Sequence, residues 1–228
     1  MKTLKDYEYY KTDLGVLYCG DCLEILPLIP NNSVDLVLTD PPYGIDICNR
    51  SEMPNYGLSP KTQKKPTGEI WDKNKITKEQ FDLINSFGKA IFWGANYYKE
   101  YFKSGNCYIV WDKRGDLPEV PFMDMELALC NFDGKAKKYK IINHGFIKDS
   151  KDIKTEHPTQ KPSELFMYVL RDFSKNNQLI IDPFFGSGTT GLACEKLGRK
   201  WIGIEISEKY CAIAKKRIEQ EARQIKMF

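Results

Sequence analysis

Residues Leu179–Gly198 read LIIDPFFGSGTTGLACEKLG, and three signals follow one another within them. Leu179 to Ile181 is a short apolar run of the kind that forms a buried strand. It runs into Asp182-Pro-Phe-Phe-Gly186-Ser187-Gly188-Thr189-Thr190-Gly191, where glycines permit positive φ and a close approach of the backbone to a ligand. A helix-like stretch, Gly188 to Leu197, takes over from the turn, and its unpaired N–H groups favour an anionic group at that point. About 20 residues further on, the strand-like KWIGIEI ends in Glu205, where nucleotide-like folds keep an acid for ribose hydroxyls. The pair suggests a ligand containing adenosine; the plainer reading is a tight strand-to-helix turn. A P-loop would need Lys before Ser or Thr, and none stands there, which removes most of the support for nucleotide hydrolysis.

The same alternation extends outward from this stretch. Apolar runs at Val16–Cys19, Val34–Leu38, Ala90–Trp93, Tyr108–Trp111, Glu126–Cys130 and Trp201–Ile204 are further candidate strands. Ser163–Ser174 and Ser207–Gln224 read as helices; in the second, Tyr210, Ile213, Ala214, Ile218, Ala222 and Ile225 recur at three- and four-residue spacing and Ser207 can cap the first turn. Strands alternating with helices predict an α/β class and a largely parallel sheet. The 228 residues, 42% hydrophobic and 29% charged, suit one α/β domain and exclude collagen-like, mucin-like and wholly disordered chains. A net charge of +3 is too small to argue for a nucleic-acid partner, so any basic surface must be local. No apolar run is long enough to span a bilayer, the polar start MKTLKDYEYYKTD does not resemble a secretory leader, and seven cysteines without framework spacing read as reduced thiols; a cytoplasmic protein without a membrane partner is expected.

A second chemical signal is VDLVLTD40-P41-P42-Y43-G44, a carboxylate, two prolines and an aromatic ring directly after an apolar strand. Ligands bind at the carboxyl ends of parallel strands, which puts Asp40 and Tyr43 on the edge that carries the glycine loop. Proline has no N–H, so the Pro41 carbonyl can accept a bond without a competing local donor. Asp40 and that carbonyl form a two-acceptor clamp suited to an exocyclic amino group, whose lone pair is freed as both N–H bonds are engaged. Tyr43 offers a face for a flipped or single-stranded base, worth about 1–3 kcal/mol by stacking. The bland alternative is an ordinary turn that stops the strand.

These residues resemble the amino-methylating DNA methyltransferases, which act on adenine N6 or cytosine N4. Asp40-Pro41-Pro42-Tyr43 is similar to their catalytic tetrapeptide and Asp182–Thr190 to their cofactor loop. The catalytic motif comes first, as in the permuted beta group, with Gly20-Asp21-Cys22-Leu23, Trp71-Asp72, His157-Pro-Thr-Gln-Lys161-Pro162 and Gly203-Ile-Glu205-Ile206 in the same order. The resemblance implies a seven-stranded, mostly parallel sheet with helices on both faces, the S-adenosylmethionine-dependent methyltransferase fold. It implies that Asp21 and the adjoining Cys22 sit by the adenine amino group of S-adenosylmethionine and Glu205, beside Ile206, at the ribose hydroxyls. Asp182, Phe184 and Gly186 would form the pocket floor, with Gly188 in the loop and Ser187, Thr189 and Lys161 at the methionine end. The implied reaction is methylation of adenine N6 in double-stranded DNA by base flipping, because Asp rather than Ser opens the tetrapeptide. Cytosine N4 is the alternative, and a retired enzyme scaffold that only binds DNA is a reading of another class. Methylation of protein glutamine fits poorly, since its tetrapeptide opens with Asn. A homodimer and a cognate restriction endonuclease are partners compatible with the resemblance.

The expected organisation is a single catalytic domain over 1–228, a lid at about 44–70 and a small target-recognition insertion at about 133–156. The insertion is rich in lysine, and Lys137, Lys138 and Lys140, with Lys61, Lys64 and Lys65 of the lid, are the expected DNA-phosphate contacts; a solvated hairpin is the alternative for the former. Cys19-x-x-Cys22 lacks a second ligand pair, so no metal is expected. His157 is expected to pack or to line the cofactor edge.

Overall fold

A computed structural model describes residues 2–45, 73–103, 105–118, 123–144, 147–148 and 160–225. Most of the expected lid, with Lys61, Lys64 and Lys65, lies outside the described residues, as do Trp71, Asp72 and His157. The chain runs β1 (Glu8–Lys11), β2 (Gly15–Cys19), α1 (Cys22–Ile25), β3 (Leu36–Thr39), α2 (Lys78–Asn85), β4 (Ala90–Trp93), β5 (Tyr108–Asp112), β6 (Met125–Cys130) and β7 (Lys137–Lys140). It continues through β8 (Asn143–His144), β9 (Ile147–Lys148), α3 (Ser163–Phe173), β10 (Leu179–Asp182), α4 (Thr189–Leu197), β11 (Lys200–Glu205) and α5 (Glu208–Ile225), with short 3₁₀ turns between some of them.

Among the described residues the main sheet has nine strands, in the order β1-β2-β11-β10-β3-β4-β6-β5-β7. From β2 to β4 all neighbours are parallel; β6 runs antiparallel to both β4 and β5, and β1 antiparallel to β2. The apolar runs mark all of β2, β11, β10, β3, β4, β6 and β5. The expected count of seven is therefore corrected to nine by the edge strands β1 and β7. These are EYYK and KKYK, whose residues are all exposed or half-buried, so neither has the apolar run that marks a strand covered on both faces. β8 and β9 form a separate antiparallel ladder within the expected insertion.

Each central strand sends alternate side chains into two separate cores. Leu36, Leu38, Ile91, Trp93 and Ile180 pack with Leu165, Phe166 and Val169 of α3, Ala193 of α4 and Ala214 of α5. Val37, Phe92, Ile181 and Ile204 turn the other way, against Ile25 of α1 and Phe81 and Ile84 of α2. Helices thus cover both faces, and every residue of β3 and β4 is buried. Each large apolar side chain so buried stabilises the fold by about 1.5–3 kcal/mol before conformational entropy is counted. Among the described residues no helix is long and apolar enough to cross a membrane.

Candidate active site

Parallel pairing brings the chemically distinctive residues to one edge. β11 ends at Glu205 and β10 at Asp182, while Gly20 and Asp21 follow β2, Asp40 follows β3 and Gly94 follows β4. Because β6 runs the other way, its beginning, Met125 and Glu126, lies on the same edge, paired with the end of β5 at Trp111 and Asp112. β10 and β3 are neighbours, so the glycine loop and the Asp-Pro-Pro-Tyr segment flank one crevice. Thr39 ties them by donating from Oγ1 to Asp182 Oδ1 at 2.8 Å.

The glycine corner is held by backbone bonds to two carboxylates. Glu205 Oε2 accepts from Gly186 N at 2.7 Å and Oε1 from Ser207 N at 2.8 Å, while Glu205 O accepts from Gly20 N at 2.9 Å. Asp182 accepts from Thr39, from Thr190 Oγ1 at 2.5 Å and from Phe184 N at 3.1 Å. Burial pushes the Asp182 carboxyl up to about 7 and raises that of Glu205 above the usual range. Gly186 and Gly188 have φ of 53° and 82°, where glycine is favoured. Gly191 and Gly203 instead make room for Phe185: a Cβ would lie 2.5 Å and 2.4 Å from its ring. Phe185 stacks on Trp201 with ring centroids 5.2 Å apart, which supports the loop from below.

Glu205, fixed by these backbone N–H groups at the end of β11, is an acceptor suited to ribose hydroxyls. Beside it Ile206 is 70% exposed, an apolar surface suited to a flat ring, with half-buried Phe184 after the neighbouring strand. Asp21 caps α1 by accepting from Leu23 N at 2.9 Å, and Cys22 is buried in the first turn with its thiol raised to about 12 by burial. These residues fit an adenosine group. Ser187 and Thr189 are turned instead toward Arg217 of α5, whose guanidinium donates to Ser187 O at 2.7 Å, Ser187 Oγ at 3.0 Å and Thr189 Oγ1 at 3.3 Å.

The Asp40 corner is held by side chains. Tyr43 donates from its hydroxyl to Asp40 Oδ1 at 2.5 Å, and Lys161 donates to Asp40 Oδ2 at 2.5 Å and to the Tyr43 hydroxyl at 2.8 Å. Lys161, which the resemblance assigns to the cofactor's methionine end, is thus brought to the Asp-Pro-Pro-Tyr segment. Its charge also meets Glu126 at 3.2 Å. Burial raises the Asp40 carboxyl, against the pull of Lys161; burial lowers Lys161, but its two carboxylates outweigh this and hold it above an ordinary lysine. Ile76 N takes the Pro42 carbonyl at 3.1 Å, while among the described residues no hydrogen bond is made to the Pro41 carbonyl. The Tyr43 ring stacks on Tyr97 at 5.0 Å and lies against Gly94, where a Cβ would be 2.0 Å from the ring.

Lys137, Lys138 and Lys140 lie on edge strand β7, away from the crevice, and each faces an aspartate: Asp172 at 3.2 Å, Asp112 at 2.9 Å and Asp116 at 2.5 Å. Sequence reasoning missed Glu126, Lys113, Tyr97 and Arg217. Glu126 gave a signal, being an acid at the head of an apolar run; nothing in the sequence separates Arg217 from the other basic residues of α5.

An α/β sheet with a glycine loop and an Asp-Pro-Pro-Tyr segment on either side of one crevice defines a class, the amino-methylating enzymes. A family model described as DNA methylase matches residues 48–216. The chain belongs to this family of adenine-N6 and cytosine-N4 DNA methylases. It is 28% identical to the type II methyltransferase M2.LlaDCHI of Lactococcus lactis subsp. cremoris, covering 94% of this chain and 93% of that one. It is 27% identical to the type II methyltransferase M2.DpnII of Streptococcus pneumoniae, covering 93% and 92%. Among solved structures, the M1.HpyAVI–SAM complex superposes with a TM-score of 0.59 at 26% identity, covering 90% of this chain and 99% of that one. The cytosine-N4-specific PvuII DNA methyltransferase shares the fold, with a TM-score of 0.59 at 18% identity over 96% and 95%.

Proposed function

We propose that this chain transfers a methyl group from S-adenosylmethionine to the exocyclic N6 of adenine in double-stranded DNA, taking the target base out of the helix into the crevice beside Asp40. The observation that carries this reading is the clamp itself. A carboxylate at the end of β3 adjoins a proline carbonyl to which no described donor bonds, directly across from the Glu205 and glycine-loop corner. When bound, S-adenosylmethionine supplies an electrophilic methyl group. Asp40 and the Pro41 carbonyl would accept hydrogen bonds from the two amino N–H groups, which localises the nitrogen lone pair for in-line displacement of the methyl group from sulfur and sets an anion beside the nitrogen as it gains positive charge; one N–H proton is then released to solvent. For this the Tyr43 hydroxyl gives up Asp40 Oδ1, and its ring supplies the stacking face. On the other side Glu205, Asp21, Phe184, Ile206 and the backbone of the loop Gly186, Ser187, Gly188 and Thr189 would hold the cofactor, with Asp182 fixing the loop from beneath.

The choice of adenine rests on Asp at the head of the tetrapeptide and is supported by family resemblance. The test is transfer from labelled S-adenosylmethionine to duplex DNA, followed by mass spectrometry of the nucleosides. N6-methyladenine is the expected product. N4-methylcytosine would keep the clamp and overturn the choice of base, and no transfer with DNA binding intact would point to a retired scaffold.

A further inference from the structure

The corner around Asp40 holds more charge than a two-acceptor clamp uses. Four side chains from four separate segments alternate in sign: Lys113 after β5, Glu126 in β6, Lys161 ahead of α3, and Asp40 after β3. Lys113 Nζ lies 2.8 Å from Glu126 Oε1, Glu126 Oε2 3.2 Å from Lys161 Nζ, and Lys161 Nζ 2.5 Å from Asp40 Oδ2. Their side chains are 18%, 16%, 6% and 26% exposed, so the chain of charges is most enclosed at Lys161 and most open at Asp40. Apolar residues of similar volume would fill such a space at lower cost in stability, which makes a largely buried run of four charges ending on a reacting carboxylate a functional feature. Glu126 makes no contact with Asp40 itself. It acts on it through the lysine they share and, across that lysine, by charge repulsion.

We propose that Glu126 is a positioning residue for methyl transfer, dividing the charge of Lys161 between two carboxylates and so setting how strong an anion Asp40 presents to the target amino group. The inference rests on the function proposed above. Without Lys161, burial would favour the neutral form of Asp40, which is a poor partner for a nitrogen gaining positive charge. With Lys161 given wholly to Asp40, the carboxylate would be neutralised before the base arrived. Sharing avoids both extremes, and Lys113 balances the second carboxylate, so the two lysines and two acids sum to no net charge. The other titratable groups facing Asp40 are Tyr43, Tyr98 and Asp182, while Glu126 faces Lys161, Lys113 and Tyr43. Trp93 and Trp111 wall the two ammonium groups, 5.6 Å and 5.2 Å from the respective ring centroids.

The arrangement gives opposite signs at its two outer links. Glu126→Gln removes a negative charge near Asp40 and hands Lys161 to it, so the Asp40 carboxyl should titrate at lower pH. Lys113→Met leaves Glu126 competing harder for Lys161, so Asp40 should titrate at higher pH. Both are read by carbon-13 NMR of the Asp40 carboxyl in the DNA-free protein, assigned by its loss in Asp40→Asn, with shifts of about half a unit or more expected. In single-turnover transfer to duplex DNA, Glu126→Gln should slow methylation about tenfold or more. Its affinity for DNA and for S-adenosylmethionine should stay within twofold of the parent, and Glu126→Asp should recover much of the rate. Asp40 titrating unchanged, or moving the same way in both folded variants, would overturn the inference. So would a parental rate in Glu126→Gln. If Glu126→Gln does not fold, the direction of the shift in Lys113→Met decides. The titration needs no DNA, so an unmodified chain that methylates no adenine defeats the proposed function while the carboxyl shifts still judge this proposal.

Discussion

The two sides of the crevice are built by different means. On the glycine side, Glu205 is fixed by backbone N–H groups of Gly186 and Ser207, Asp182 by Phe184 N and two threonine hydroxyls, and the loop by Phe185 wedged beneath two glycines. On the Asp40 side the bonds run between side chains: a tyrosine hydroxyl, a lysine and a second carboxylate. Backbone bonds cannot be surrendered without unfolding the turn, whereas side-chain bonds can be exchanged for a ligand's. A cofactor common to every turnover suits the first construction. On the function proposed, a base that enters, displaces the Tyr43 hydroxyl and leaves again suits the second.

Asp40→Asn tests the exchangeable side and carries the largest expected effect. The amide keeps the shape and one oxygen acceptor but loses the negative charge, so the bond to the nitrogen weakens most in the transition state. Single-turnover methyl transfer should fall by about 10²–10³-fold, with S-adenosylmethionine affinity unchanged by calorimetry. Near-parental turnover would show that the clamp does not set the rate. On the fixed side the pattern should invert. Glu205→Ala removes the acceptor of Gly186 N and Ser207 N, and Gly186→Val puts a β-branched residue at φ 53°; either should weaken S-adenosylmethionine binding by tenfold or more, about 1.4 kcal/mol. If both variants bound the cofactor normally, the preformed character of that side would be wrong.

The fixed side should also show in stability. The folded-state value of about 7 for Asp182 lies above its ordinary 3.8, so the folded protein binds more protons than the unfolded chain between them. This contribution is complete below about pH 4, and stability is lost as pH rises toward 7. Asp182→Asn should flatten that part of the curve of denaturation midpoint against pH. Gly203→Ala, whose new methyl meets Phe185, should lower stability by about 1–3 kcal/mol in urea melts without a direct effect on Asp40.

The glycine side was the more legible in sequence for the same reason that it is fixed. Backbone conformation leaves glycines at set positions, and a strand covered on both faces leaves an apolar run, so α4 and the seven inner strands, β10 and β11 among them, could be read directly. Asp40 and Tyr43 were legible as a motif, but not their engagement with Lys161 and Glu126, which lie far apart in the chain and meet only because β6 reverses direction between β4 and β5. β1 and β7 left no apolar run because each has a neighbour on one side only. The Lys137–Lys140 cluster reads as bare basic charge, since its aspartates come from α3, β5 and the turn after β5.

That cluster gives the smallest expected effect. Exchangeable ion pairs continue outward from Asp40 through Lys113–Glu126 to Lys138–Asp112, Lys140–Asp116 and Lys137–Asp172. Exposed pairs of this kind contribute little to stability, so a phosphate can draw a lysine from its aspartate at little cost. Each lysine that makes such a contact adds about 0.9 to the slope of log affinity against log salt, and one that stays with its aspartate adds nothing. Replacing Lys137, Lys138 and Lys140 together by Gln should therefore flatten the slope of DNA binding, by less than three full contacts if the aspartates keep a share, and leave S-adenosylmethionine affinity untouched. Replacing Asp112 and Asp116 by Asn should act in the opposite direction, tightening DNA binding modestly at low salt. An unaltered slope in the lysine variant would confine these ion pairs to holding β7 on the sheet, and would shift phosphate binding to Lys61, Lys64 and Lys65. In that case the exchangeable character of this side would end at Lys113, and the contrast between the two sides would belong to the crevice alone.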